Sequence, residues 1–404
     1  MKKMHLPLEG LLSLTLLACY SPESFEAEYL DDESKVQNSS EIGKIYTVNG
    51  DNQVCNPSIS QDTVNFPASM LWLNFQGDLD VKSPDSEYTV SISKVRQHDR
   101  LTISDTAKNV KWYLMRDLSK GECQFQDPEW STHPDYIIAL RGHDIEGGSG
   151  CDVLDYGVFA VRLSDKKKFS FYDKGIIEVA TPHLWVDPLA ELKKDGDAST
   201  VKGFFGTNEV RLTYVDGDED ATKKGTQHIV FVDYSNGGKG KSIKLKKPAN
   251  RSDWGIDSPL ISPDGKFVVY QMDENNVTWE TYIQELSKDA EAIKVPRTKD
   301  MMSEPAQPHW FKFGNRLFVL WAEFPQGSPI FNEKHLTEKS VQDGSAGRTV
   351  MREIRLMAGV PRDLAVEWVG ENIEIAPIPM IGGRSPDSKF ISTGYEYAYL
   401  LQLP

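Results

Sequence analysis

The sequence predicts an all-β fold assembled from repeated short strands, and three observations carry that prediction. From Ile42 onward, β-branched and aromatic runs recur between clusters of Gly, Asp, Asn, Ser and Pro, with little sign of long amphipathic helices. One stretch, Ser258 to Leu286, displays a complete unit of strand, tight turn, strand and strand. Weaker copies of its opening segment recur along the chain.

Taken in order, the chain begins with Lys2 and Lys3 ahead of an apolar run from Leu11 to Ala18, the layout of a secretion signal and too short a run to span a bilayer. Leu16-Leu17-Ala18-Cys19 resembles the lipobox of bacterial lipoproteins. The resemblance implies a signal peptide over residues 1–18, cleavage before Cys19, and diacylglycerol on the Cys19 thiol. Tyr20, standing where an Asp would mark retention at the inner membrane, implies delivery to the outer membrane. An ordinary cleaved signal and a retained segment are the alternatives. Residues 19–41 read as a flexible tether, because Glu, Asp and Ser dominate and aromatics are few. After Ala18 no apolar stretch reaches the length of a membrane span, so the expected contact with the membrane is through the N-terminal lipid only.

The repeat begins after the tether. In Ser258–Leu286 a short strand reaches Ser262, Pro263-Asp264-Gly265 turns the chain, Lys266 to Met272 alternates as a second strand, and Thr278 to Leu286 forms a third. Pro presets φ at the first corner, Asp bonds its own backbone and Gly accepts a positive φ. This unit resembles the repeat of TolB-like β-propellers, in which a Ser-Pro-Asp-Gly-Lys turn precedes an apolar strand. Gly382 to Leu403 repeats it with Ser385, Pro386 and Asp387, and with Ser388 in place of the glycine. Entry segments also occur at Asn56, Asp127, Thr181 and Gln307, so that Pro57, Pro128, Pro182, Pro259, Pro308 and Gly382 mark six units. Their spacing, about 50 to 75 residues, is that of a supersecondary repeat. The resemblance implies one six-bladed propeller over residues 42–404; two unrelated β-sandwich domains are the alternative. The sixth unit stops after its third strand, while Ile42–Val48 is an orphan strand at the other end of the domain. Pairing the two would close the last blade and cover a free edge.

Four cysteines are present; with Cys19 lipidated, Cys55, Cys123 and Cys151 allow at most one intramolecular disulfide. In the repeat, the loop entering a blade and the loop between its second and third strands share a face. That resemblance places Cys123 and Cys151 on such loops of the second blade and makes them the expected pair.

Lys and Arg number 45 against 60 Asp and Glu, a net charge of -15 that disfavours a nucleic-acid partner. The residues after the entry positions, Ser58, Glu129, His183, Leu260, His309 and Gly383, are expected around the channel mouth. Among them His183, His309 and Glu129 supply imidazole and carboxylate donors suited to a divalent metal; the alternative is that repeats share residues because they share a backbone. Asp216, Asp218, Glu219 and Asp220 gather oxygen donors but miss the fixed glycine and terminal glutamate of a helix-loop-helix calcium site, and they read as a solvated hairpin loop. Trp185, Trp310 and Trp321 lie on expected strands, whereas Trp254 and Trp279 look loop-borne and free for stacking. The irregular segment Phe324–Gly347 is either a recognition loop or tolerated length.

No Gly-x-Ser-x-Gly elbow, phosphate-binding glycine loop or His-Glu-x-x-His helix occurs, and the chain has no room for the catalytic domain of the serine oligopeptidases that share this repeat. The expectation is a lipid-anchored binding or scaffold protein of the cell envelope, on the periplasmic side or the cell surface, whose propeller face contacts an envelope protein or polysaccharide without a required cofactor. The rival expectation is a metal-assisted, lyase-like carbohydrate-active enzyme with its site in the channel, since related propellers include oligogalacturonate lyases.

Overall fold

The computed structural model describes residues 43–49, 54–74, 82–88, 98–144, 154–190, 196–218, 221–274, 279–298, 305–324, 347–393 and 399–403. Within these residues each strand-forming run pairs antiparallel with the next in line, giving six four-stranded sheets. The first contains β2 (Val54–Ile59), β3 (Ser69–Asn74), β4 (Arg100–Asp105) and β5 (Val110–Met115). The second contains β6 (Glu122–Trp130), β7 (Tyr136–Asp144), β8 (Leu154–Arg162) and β9 (Lys168–Ile176). The third contains β10 (His183–Val186), β11 (Val210–Asp216), β12 (His228–Asp233) and β13 (Lys241–Lys244). The fourth contains β14 (Gly255–Ile261), β15 (Phe267–Asp273), β16 (Trp279–Glu285) and β17 (Ile293–Lys294). The fifth contains β18 (Ala306–Phe313), β19 (Arg316–Glu323), β20 (Arg348–Leu356) and β21 (Val366–Ala376). The sixth contains β22 (Met380–Arg384), β23 (Phe390–Thr393) and β24 (Tyr399–Gln402), completed by β1 (Ile45–Thr47).

The hydrophobic core shows how the sheets are arranged, because its clusters straddle consecutive sheets. Leu71 and Trp112 of the first pack with Phe125 and Phe159 of the second, and Tyr136 and Leu140 of the second with Leu184 and Leu212 of the third. Phe231 packs with Tyr270 between the third and fourth, and Val269 with Trp321 between the fourth and fifth. Arg384 lies over the Phe311 ring at 4.6 Å between the fifth and sixth, and Leu400 packs with Trp72 between the sixth and first. A row of sheets whose last member packs on its first is a ring. The fold is a six-bladed β-propeller, and its blades are numbered in this order below. Two separate sandwiches are excluded by the same contacts.

The closure is the one expected from the orphan strand. Ile45, Tyr46 and Thr47 stand opposite Leu401, Leu400 and Tyr399, and Tyr46 Oη donates to Gln402 Oε1 at 3.0 Å. Gly43 allows the approach, since a Cβ there would lie 1.6 Å from the Gln402 carbonyl oxygen. The two Ser-Pro-Asp turns also match. Ser262 and Asp264 side chains bond each other across a turn whose Gly265 has φ 73°, and Ser385 with Asp387 repeats the bond while Ser388 takes φ 66°.

Short helices are not foreseen from the sequence, and one of them bears on the core. Between β10 and β11 the chain forms α1 (Val201–Phe205), capped by Thr200 Oγ1 accepting from Gly203 N at 3.0 Å and ended by Gly206 at φ 76°. Phe204 and Phe205 are buried among Tyr136, Phe169 and Phe171, filling the seam between blades 2 and 3. Cys123 lies within β6 as the extra residue of a bulge between Glu122 and Gln124, and not on the loop entering the blade. It is held in a disulfide. Cys151 lies outside the described residues, as do the signal over residues 1–18, Cys19 and the tether, and residues 325–346 of the irregular segment. Among the described residues no helix is long and apolar enough to cross a membrane.

Candidate binding site at the channel mouth

The innermost strands β2, β6, β10, β14, β18 and β22 meet their neighbours around the ring axis. Four of them carry a one-residue bulge at the entry proline, between Cys55 and Ser58, Gln126 and Glu129, Asp257 and Leu260, and Ala306 and His309. β22 carries a wider one, between Met380 and Arg384, with Gly383 at φ 94°. In each proline-bearing blade whose entry is described, the residue before the proline is left-handed: Asn56 φ 45°, Asp127 φ 44°, Thr181 φ 40°, Ser258 φ 51° and Gln307 φ 50°. That conformation is costly for an L-residue, and a following proline favours extended backbone instead. Its repetition therefore marks a position that the surrounding structure holds in place.

These five residues, with Ile381 of blade 6, line one cavity of about 440 Å³. They also join the blades to one another. Asn56 Nδ2 donates to Asp127 Oδ1, and Thr181 N donates to Asp127 Oδ2 at 3.1 Å. Ser258 N donates to Thr181 Oγ1 at 3.1 Å, and Gln307 N to Gln271 Oε1 at 2.8 Å. Gln271 Nε2 in turn donates to Asp257 Oδ2 at 2.8 Å. The polar chain thus runs along the inter-blade seams from blade 1 to blade 5.

Its electrostatics are set by enclosed carboxyls. Burial pushes the Asp127 carboxyl up to about 7, with the Asp257 charge adding to the effect. Burial likewise pushes Glu129 up to about 7 and raises Asp257. Glu129 Oε1 accepts from Ser58 Oγ at 2.6 Å and from Trp130 N at 3.2 Å, while Oε2 makes no hydrogen bond to the described residues. Lys224 Nζ, also in the lining, is paired with Asp273. Trp279 also lines the space.

The residues expected at the mouth from their place after the prolines take up different tasks. Glu129, Leu260 and His309 line the cavity, whereas Ser58 serves as the donor to Glu129. His183 Nδ1 accepts from Ile261 N at 2.9 Å across the seam, which fixes its proton on Nε2. Gly383 faces His309, whose Cδ2 would lie 3.1 Å from a Cβ there. Burial lowers His183 to about 3 and His309 to about 4, so both imidazoles are neutral at pH 7. Among the described residues no three His, Cys, Asp or Glu side chains converge to hold a metal. Of the expected trio, His309 and Glu129 line the cavity, while His183 Nδ1 is occupied by the blade 4 amide and Glu129 Oε1 by the blade 1 serine.

The residue before the proline was missed by the sequence reading. A signal was present, since Asn56-Pro57, Asp127-Pro128, Thr181-Pro182, Ser258-Pro259 and Gln307-Pro308 repeat a polar residue followed by proline. Of the acidic hairpin, Asp216 pairs with His228 at 3.1 Å and Asp218 with Lys223 at 2.9 Å. Glu219 and Asp220 lie outside the described residues. Trp254, expected to be free, is 7% exposed and sits under Arg251.

No protein-family model matches the chain, and no curated protein matches its sequence. Solved structures do. A TolB candidate from Agrobacterium tumefaciens aligns over 89% of this chain and 97% of its own, with 10% identity and a TM-score of 0.40. The propeller domain of the Trilobed protease from Pyrococcus furiosus aligns over 80% and 67%, with 12% identity and a TM-score of 0.36. An α-L-arabinofuranosidase from Lactobacillus brevis aligns over 78% and 94%, with 10% identity and a TM-score of 0.36. The likeness is one of backbone architecture, and nothing about activity is taken from it.

Proposed function

We propose that this chain is a lipid-anchored binding protein of the bacterial cell envelope, recognising an envelope protein or polysaccharide through the propeller face on which the channel cavity opens. The observation that carries the reading is the cavity itself. It has the volume of a ligand site, and equivalent entry residues of all six blades contribute to its lining. Location rests on the Lys2-Lys3 start, the Leu11–Ala18 run and Cys19. The Cys123–Cys151 bridge belongs to the same reading, because an exported chain matures under oxidising conditions and Cys123 is disulfide-bonded. Photo-cross-linkers placed at Gln307 and at Ser258 in intact envelopes test it. Both positions should capture the same partner, and a probe at Lys241, on the outermost strand of blade 3, should not. Equal capture from all three positions, or none from the two channel positions, would overturn the reading. Labelling with a palmitate analogue should be lost in Cys19→Ala; retained labelling overturns the anchor.

A further inference from the structure

The cavity is unevenly charged. Of its ionisable lining residues, Lys224 and Asp273 neutralise each other, and His309 is neutral. Asp127, Glu129 and Asp257 remain. Among the described residues, none of the three forms an ion pair. Carboxyls enclosed together with no counter-ion are costly, and burial of an unpaired charge is normally avoided or matched.

A second feature is independent of this count. Glu129, which lines the cavity, is gripped through Oε1 by the blade 1 serine and its own neighbour's amide, while Oε2 takes no hydrogen bond from the described residues. Asp127 is similarly fixed from two sides by Asn56 and Thr181, and Asp257 by Gln271. These are preset acceptors in a space of about 440 Å³, far more than a bare ion fills. An inorganic cation would also want three or more converging ligands, and no such cluster exists among the described residues. The wall contributes an indole from Trp279, whose face attracts organic cations.

We infer that the channel cavity binds a ligand carrying a basic nitrogen, an alkylammonium or guanidinium group, seated among Asp127, Glu129 and Asp257 with Trp279 beside it. The inference rests on the binding role proposed above and names the chemistry of what is bound. Hydroxyl and amide groups of Ser258 and Gln307 would receive the polar remainder of the ligand.

The test is calorimetric titration of the purified full chain at pH 8 with cadaverine and agmatine, and with 1,5-pentanediol as the uncharged counterpart of cadaverine. One of the amines should bind at a single site, and pentanediol should be at least tenfold weaker. Asp257→Asn and Glu129→Gln should each weaken the amine tenfold or more, with melting curves confirming that both variants fold. Trp279→Leu should weaken it less. Calcium and manganese chloride form a separate arm. Binding of pentanediol as tight as the amine would overturn the cationic ligand while leaving a channel-binding role intact. Metal binding that displaces the amine and is lost in Glu129→Gln would overturn it in favour of an inorganic cation. Absence of amine binding in a protein that still cross-links a partner through Gln307 would also overturn it, without touching the proposed function.

Discussion

Gly265 and Ser388 occupy the same place in two copies of one turn and differ in what they can tolerate. A Cβ on Gly265 would lie 2.4 Å from Arg211 Nη1 and 2.7 Å from the Trp185 ring, both of which reach over from blade 3 to bond the turn's carbonyls. Gly265→Ala therefore meets a left-handed backbone and a steric clash together, and should cost about 2 kcal/mol or more in urea unfolding. Ser388 already bears the backbone cost, about 1 kcal/mol, but its oxygen accepts from Arg384. Ser388→Gly relieves the one and loses the other, so its melting temperature should stay within about 2 °C of the parent. Glu129 gives the corresponding prediction for charge. Its carboxyl titrates near 7 in the folded protein and near 4.5 in the unfolded chain, so the folded state holds a proton that the unfolded state has released between those values. Stability from this group is full below pH 4.5 and is lost as pH rises through 7. Asp127 adds the same sign, with Asp257 and Glu178 as the like charges facing it. Glu129→Gln should thus flatten the fall in melting temperature between pH 5 and pH 8 and raise the value at pH 8; a parallel downward shift at every pH would contradict the assignment.

At the scale of elements, β1 was legible and α1 was not. The orphan run before the first unit and the missing fourth strand of the last are complementary facts of the sequence, and an unpaired edge is a strong reason for them to meet. The segment Val-Lys-Gly-Phe-Phe, by contrast, is rich in strand-forming residues and has a central glycine, so local preference argues against a helix. It becomes one because Thr200 and Gly206 cap it and because the seam between blades 2 and 3 needs the two phenylalanine rings. Phe204→Ala should therefore destabilise the whole domain by about 3 kcal/mol, as a core truncation does, and not merely loosen a surface loop. Gly43→Val tests the other element. Its side chain would meet the Gln402 carbonyl and drive β1 off β24, and protection of the Leu400 and Gln402 amides, which face β1, from hydrogen exchange should fall by at least tenfold.

For the whole molecule, six units could be counted from the sequence because a turn with a fixed chemical recipe recurs, and because the proline stands at a constant place in each entry strand. The site was harder to read. Aligning the repeats places the residue after each proline at the mouth, as Glu129, Leu260 and His309 are; the bulge and left-handed backbone bring the preceding residue there as well. Polar residues before proline at five of six positions are what such a bulge demands, and they become a site only through the ring. Since the core clusters belong to two blades at a time, the domain has few places to come apart piecemeal. Circular dichroism and tryptophan fluorescence should report one coincident unfolding transition in urea; separated midpoints would mean that the blades unfold independently.

The pairing of β1 with β24 also has a mechanical side. Any pull on the chain from ahead of Gly43 reaches the ring through three antiparallel residue pairs, Ile45 with Leu401, Tyr46 with Leu400 and Thr47 with Tyr399. A pull directed along the β1 axis, across hydrogen bonds that run perpendicular to it, stresses those bonds in shear, together and not one after another like a zip. The strand that completes the last blade is thus also a clip, and the first part of the propeller to bear load.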